Sequence, residues 1–255
     1  MLRYQTAPPR ATITIDDPER RNPLSNANMA EMAALVDRAA LDPTVKVIVI
    51  TGAGDKAFSA GGDLGGGFVD RPLEEHDDRA ALAALLRSLR ACGKPTVARV
   101  NGHALAGGFG IAAACDVVIA VGDATFGAPE IKVGLWPMMI TAVLQRVMPH
   151  KAALELMMTG RRMSADEALR LGVVSRVVRR DDLDDAVDLM VDTLSSMSPL
   201  VLQMGRDAFY AVQDLDFDAA LDHLHVGLTA VAATEDAAEG VAAFLAKRRP
   251  EWRGR

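Results

Sequence analysis

Residues 96–121 read TVARVNGHALAGGFGIAAACDVVIAV. Both ends, 96–100 and 117–121, are short β-rich runs, and between them a glycine-rich turn opens into an alanine-rich helical segment. The same grammar extends toward the N-terminus. Residues 45–51 (VKVIVIT) form an apolar run that stops at Gly52, as a buried strand does. Thr12, Ile13, Thr14 and Ile15 alternate polar and apolar, the signature of a half-buried strand. Met29, Met32, Ala33 and Val36 fall at helical spacing, and so do Leu82, Leu85, Leu86 and Leu89. Strand and helix patterns that alternate in this way predict an α/β domain.

Toward the C-terminus the pattern turns helical. Ser164 and Glu167 have capping-box spacing and Gly172 supplies a stop, after which 173–178 reads as one more strand. Leu183, Val187, Met190, Val191 and Leu194 mark a helix, and Ser198-Pro199 opens another in the favoured way. Phe217, Leu221, Leu224, Leu228 and Val231 continue the helical period. The division expected is an α/β core over 1–198 and a helical region over 199–255. That tail has little surface of its own to bury, so it is expected to dock on the core or on another subunit. Residues 65–78, opening Gly65-Gly66-Gly67, are the expected mobile loop.

Composition narrows the function. With 255 residues, 50% of them hydrophobic, a sizeable core can form. A net charge of −6 without a basic face argues against a nucleic-acid partner. No apolar run approaches the ~20 residues of a membrane span, and the first residues lack an apolar signal segment. Cys92 and Cys115 sit in no CxxC motif and read as reduced thiols, so the cytoplasm is the expected compartment. The five histidines lack metal-ligand spacing, and no GxSxG elbow marks a nucleophile.

Four stretches carry candidate chemistry. Gly52-Ala53-Gly54-Asp55-Lys56-Ala57 fits a loose dinucleotide pattern, but the helix that pattern needs does not follow, so a strand-end turn is the better reading. Ala60-Gly61-Gly62-Asp63 is equally a tight turn or a place where backbone amides approach a ligand. Gly107, if it opens a helix, carries an unpaired N–H at the positive end of the dipole; close helix–strand packing is the equal alternative. Glu130 follows Pro129 among apolar neighbours. Buried, it would have a raised pKa suited to proton transfer; exposed, it would be an ordinary helix-start glutamate. His103 reads as a packed histidine and Asp116 as a structural acceptor.

Taken in order, these stretches resemble the enoyl-CoA hydratase/isomerase (crotonase) superfamily. The likeness runs from Pro18-Glu19-Arg20-Arg21-Asn22-Pro23 through Phe58-Ser59-Ala60-Gly61-Gly62-Asp63, Asn101 to Gly108, Ala114-Cys115-Asp116 and Phe126 to Gly134, and ends near Pro250. The resemblance implies a spiral of repeated ββα units with a C-terminal helical trimerisation region. It implies a homotrimer or a dimer of trimers, an acyl-CoA thioester substrate, and no cofactor beyond the coenzyme A moiety. It places an oxyanion hole on the N–H groups of Ala60 and Gly107, a substrate-binding turn on Ala60, Gly61, Gly62 and Asp63, and the proton-transferring glutamate at Glu130. Lys56 is a candidate for the coenzyme's phosphates; Lys247 and Arg248 are weaker ones, Arg248 reading better as a solvated charge.

The sequence also departs from that family. Its hydratases carry a second glutamate where this chain has Gly110, and another subset carries an aspartate where this chain has Met138. One carboxylate suffices for a 1,3-proton shuttle, so the favoured expectation is Δ3–Δ2 enoyl-CoA isomerisation. Hydration, acyl-CoA decarboxylation and a non-catalytic acyl-CoA-binding role are the alternatives. Phe68, Leu86, Trp136, Met138 and Met139 are expected to line an acyl channel.

Overall fold

The structure is a computed structural model that describes residues 1–63 and 76–255. Its frame is a six-stranded sheet in the order β1-β2-β4-β7-β9-β12. These strands are β1 (Leu2–Ala7), β2 (Arg10–Ile15), β4 (Val47–Gly52), β7 (Thr96–Val100), β9 (Val117–Val121) and β12 (Arg176–Val178). Only β1 runs antiparallel to its neighbour; the other pairings are parallel. Parallel strands need long crossovers, and here each crossover begins with a second short strand and ends with a helix. After β4 comes β5 (Ala57–Ser59), after β7 comes β8 (His103–Leu105), and after β9 comes β10 (Thr125–Gly127). With β11 (Arg162–Ser164) these form a second sheet, ordered β11-β10-β8-β5. A further two-stranded pair joins β3 (Pro23–Leu24) to β6 (Gly61–Gly62). The chain thus winds as a spiral that deposits one strand in the large sheet and one in a small sheet on each turn.

The helices close the turns for the reasons their sequences give. In α1 (Asn26–Leu41) the Ser25 hydroxyl accepts the Asn28 N–H at 3.1 Å, capping the helix, and Met29, Met32, Ala33 and Val36 are buried. In α2 (His76–Ala91) Leu82, Leu85 and Leu89 are buried. All six residues of β4 are buried, as a strand covered on both faces must be. Of the expected loop, residues 65–75 lie outside the described residues, Phe68 among them; His76, Asp77 and Asp78 instead form the first turn of α2, where acidic side chains suit the helix dipole.

Residues 173–178 are a strand only from Arg176. The Val173 and Val174 N–H groups both donate to the Ala168 carbonyl, at 3.0 and 3.2 Å, so they cap α6 (Ala165–Arg170) before the chain extends. Beyond α4 (Met138–Val147), α5 (His150–Thr159) and α7 (Leu183–Ser195), the tail forms α8 (Pro199–Ala211), α9 (Phe217–Ala232) and α10 (Glu235–Leu245). Neither α8 nor α9 has a buried residue, and Phe217, Val226 and Leu228 are largely exposed. Arg206 and Tyr210 of α8 bond the Asp116 carboxylate, at 2.9 and 2.6 Å, and Asp116 also accepts the Thr96 N–H at 2.7 Å. Asp116 is therefore the structural acceptor its sequence context suggested. Among the described residues no helix is long and apolar enough to cross a membrane.

Candidate active site

Three segments leave the small sheet at the same level. Ser59 of β5 and Phe126 of β10 both sit opposite Ala104 of β8, all in parallel register. Gly62 lies three residues beyond that row, Gly107 three beyond it, and Glu130 four beyond it. Neighbouring strands are about 4.8 Å apart, so the sheet starts the three segments that carry these residues side by side at its carboxyl end.

The first two segments touch. Gly61 has φ +97°, and a Cβ there would lie 2.6 Å from the Ala106 Cβ, so only glycine lets the β5–β6 turn close on the turn that follows β8. Ala106, which caps α3 (Gly107–Ala114), holds φ 50°, ψ −127°, a conformation L-residues rarely adopt. Its N–H donates to the Gly127 carbonyl at 2.8 Å, which ties the turn to β10. Phe109 of α3 meets Phe126 of β10 edge to face, centroids 5.9 Å apart, with both side chains fully buried.

Helix start and strand pairing decide which amides are open. Gly107 is the first residue of α3, so its N–H has no partner within the helix. The Ala60 N–H, expected to be a donor to substrate, is already given to the Arg21 carbonyl at 2.9 Å. The reason is the β3–β6 pairing, which draws the strand's amides toward β3. Asp63 N–H bonds the Leu24 carbonyl at 3.0 Å, and alternation along a parallel strand then turns the Gly62 N–H away from β3. Among the described residues this amide has no acceptor, and a Cβ at Gly62 would have no neighbour within 4 Å, so there is room beside it. The open donor of this turn is therefore Gly62, two residues past the expected one.

Glu130 sits in the first turn of a 3₁₀ helix, Pro129–Val133, begun by Pro129. The residue is half-buried, and its Oε2 is buried without a hydrogen-bond partner. Burial pushes the carboxyl pKa up, and a bond from its own backbone N–H pulls it partly back. The other expected residues serve the frame. The Asp63 carboxylate takes Arg20 Nη2 at 2.8 Å, so it braces the turn. Lys56 is exposed, and its carbonyl accepts the His103 N–H at 3.0 Å. His103 Nδ1 lies 2.9 Å from the Thr125 hydroxyl; burial first, then Arg162 and Arg21, hold its pKa down. Arg248 pairs with Glu239 at 2.6 Å, in keeping with a surface charge. Met138 is mostly exposed, whereas Leu86, Trp136 and Met139 are partly buried against the core. Gly110, one turn along α3 from Gly107, is covered by Ile140 of α4; a Cβ at 110 would lie 2.7 Å from the Ile140 Cβ, and the Ile140 Cγ2 would be closer still. Among the described residues no cluster of three or more His, Cys, Asp or Glu side chains could hold a metal.

Two open amides beside one buried carboxyl are the equipment of an enzyme that moves protons next to a carbonyl. The comparisons agree. Residues 10–255 match the family model described as "Enoyl-CoA hydratase/isomerase". The carnitinyl-CoA dehydratase of Salmonella enteritidis is 35% identical over 256 residues, covering 97% of this chain and 96% of that one. The enoyl-CoA hydratase structure from Mycobacterium smegmatis superimposes with a TM-score of 0.94 at 33% identity, covering 98% of each chain. A human enoyl-CoA hydratase domain-containing protein gives the same TM-score at 30% identity, covering 98% of this chain and 99% of that one. This chain belongs to the enoyl-CoA hydratase/isomerase family and has the crotonase fold.

Proposed function

We propose that this enzyme converts a 3-enoyl-CoA thioester into its 2-enoyl isomer through a thioester dienolate. The Gly62 and Gly107 amides grip the thioester oxygen. The Glu130 carboxylate removes a proton from C2, and the freed electron pair spreads onto that oxygen. The same proton is returned to C4, the C3=C4 double bond becomes C2=C3, and the carbonyl is restored. The observation that carries this reading is the buried, unpartnered Glu130 Oε2 at the level of two open amides. Each amide donor is worth about 3 kcal/mol on an oxyanion, and the carboxylate about 10²–10⁴ in rate. The scheme draws on no cofactor beyond the coenzyme A moiety, and the exposed Lys56 is the cation proposed for its phosphates.

Hydration or dehydration is the second reading, favoured by the relatives named enoyl-CoA hydratase and carnitinyl-CoA dehydratase. Both readings share the thioester enolate, as does decarboxylation. The enzyme names of the relatives set aside a non-catalytic acyl-CoA-binding role. For assembly, the apolar faces of α8 and α9, with a cavity of about 800 Å³ beside Phe209 and Val241, support association with further copies of this chain, and the family resemblance makes that assembly a homotrimer or a dimer of trimers.

The test uses a 3-enoyl-CoA and crotonyl-CoA separately, following the conjugated thioester absorbance. Isomerisation gives growth on the first; loss on the second without growth on the first supports hydration. Because Glu130 acts as a base, kcat/KM for isomerisation is expected to rise with pH through a midpoint above the ordinary carboxyl range. Glu130→Gln is expected to lose about 10²–10⁴ in kcat while still binding the CoA ester. Full turnover in that variant overturns the mechanism.

A further inference from the structure

We propose that Ile140 decides the fate of the proton held by Glu130, by occupying the place beside the substrate where a water would sit. This rests on the reading of Glu130 and the amide pair given above. Gly110 follows Gly107 by one turn and lies on the same face of α3. That face is bare backbone, and Ile140, itself almost fully buried, is pressed onto it so closely that even a methyl group at 110 would collide. Ile140 also belongs to the segment that continues from Glu130, five residues beyond Leu135, whose N–H bonds the Glu130 carbonyl at 3.0 Å. The contact therefore joins the carboxylate's segment to the helix carrying the Gly107 amide, and it leaves their junction apolar.

A single carboxylate is able to serve either outcome. In isomerisation the proton goes from C2 to C4. In hydration the oxygen of water bonds to C3 of a 2-enoyl thioester, the C2=C3 pair moves toward C2, one water proton passes through Glu130 to C2, and the other stays on the new hydroxyl. The second course differs only in needing an ordered water within reach of Glu130. A water occupies roughly 30 Å³ and needs two to four polar partners, and Ile140 removes both the room and the partners.

The experiment measures the ratio of crotonyl-CoA hydration to 3-enoyl-CoA isomerisation in the full-length protein. Ile140→Ser opens space and adds a hydroxyl, and is expected to raise the ratio at least tenfold, with both activities lost again on adding Glu130→Gln. Ile140→Thr, which keeps the branched methyl and disturbs packing less, is expected to shift it in the same direction. Ile140→Ala opens a dry apolar space and is expected to shift it less than Ile140→Ser. An unchanged ratio in folded Ile140→Thr, with isomerisation intact, overturns the role of Ile140 alone. Wild-type protein that does not isomerise, or that hydrates as fast as it isomerises, overturns the underlying reading as well.

Discussion

At the scale of single residues the site is held by unusual backbone as much as by side chains. Ala106 adopts a glycine-like conformation at the turn that aims the Gly107 amide. Strain of this kind costs about 1–3 kcal/mol, while glycine gives up about 0.5–1 kcal/mol through the unfolded chain. Ala106→Gly is therefore expected to stabilise the fold by about 1 kcal/mol, read as a higher midpoint in urea, with turnover kept. Glu130 stores the opposite kind of tension. Its folded pKa is raised, so its stabilising contribution is complete below the unfolded carboxyl value and lost as pH rises through the folded one. Glu130→Gln is thus expected to melt higher than wild type at neutral pH, an advantage that fades in acid; an unchanged difference across pH would falsify the burial account of this group.

At the scale of elements, the edge-to-face pair of Phe109 and Phe126 binds the helix that begins with Gly107 to the strand that leads to Glu130. Phe109→Ala is expected to cost about 3–5 kcal/mol of stability. It should also lower kcat more than it raises KM, because the amide and the carboxyl lose their common support; thermal melts and steady-state kinetics check the two parts. The sequence made α1, α2, β4, β7 and β9 legible because each is long enough to show its period. The strands of the small sheet have only three residues each, too few for alternation to register, so β5, β8 and β10 escaped notice although their turns did not. The resemblance placed the donor at Ala60, and no local pattern moves it to Gly62. Which amide of a glycine turn is free depends on the strand paired beside it, and β3 lies 38 positions away in the chain from β6. Glu130 and Gly107 stood out locally, one behind a proline among apolar neighbours and the other at a possible helix start, but the residues alone left each with a structural alternative, and their roles came from the family resemblance. The Ile140 contact with Gly110 left no local trace.

At the scale of the whole molecule, the end of the chain is fastened back onto the tail helices. Asp236 of α10 accepts the Ser198 hydroxyl at 2.6 Å, the Arg253 N–H at 2.7 Å and the Gly254 N–H at 3.1 Å. Trp252 Nε1 donates to the Ser196 carbonyl at 2.7 Å. Burial raises the Asp236 pKa, but these bonds outweigh it and leave the value depressed. Its contribution is present above the unfolded carboxyl pKa and lost as pH falls through the folded one. Acidification is accordingly expected to release the last residues before the core melts. A Trp136→Phe background makes Trp252 the sole tryptophan, whose selectively excited emission follows this, and Asp236→Asn should show the same release at neutral pH.

The register row through Ser59, Ala104 and Phe126 has a broader consequence. The gaps between the points where the three segments leave the sheet are fixed by sheet hydrogen bonds, a kind of lattice constant. Residues may be swapped on any one loop, and a different chemistry installed there, while the pitch between stations stays the same.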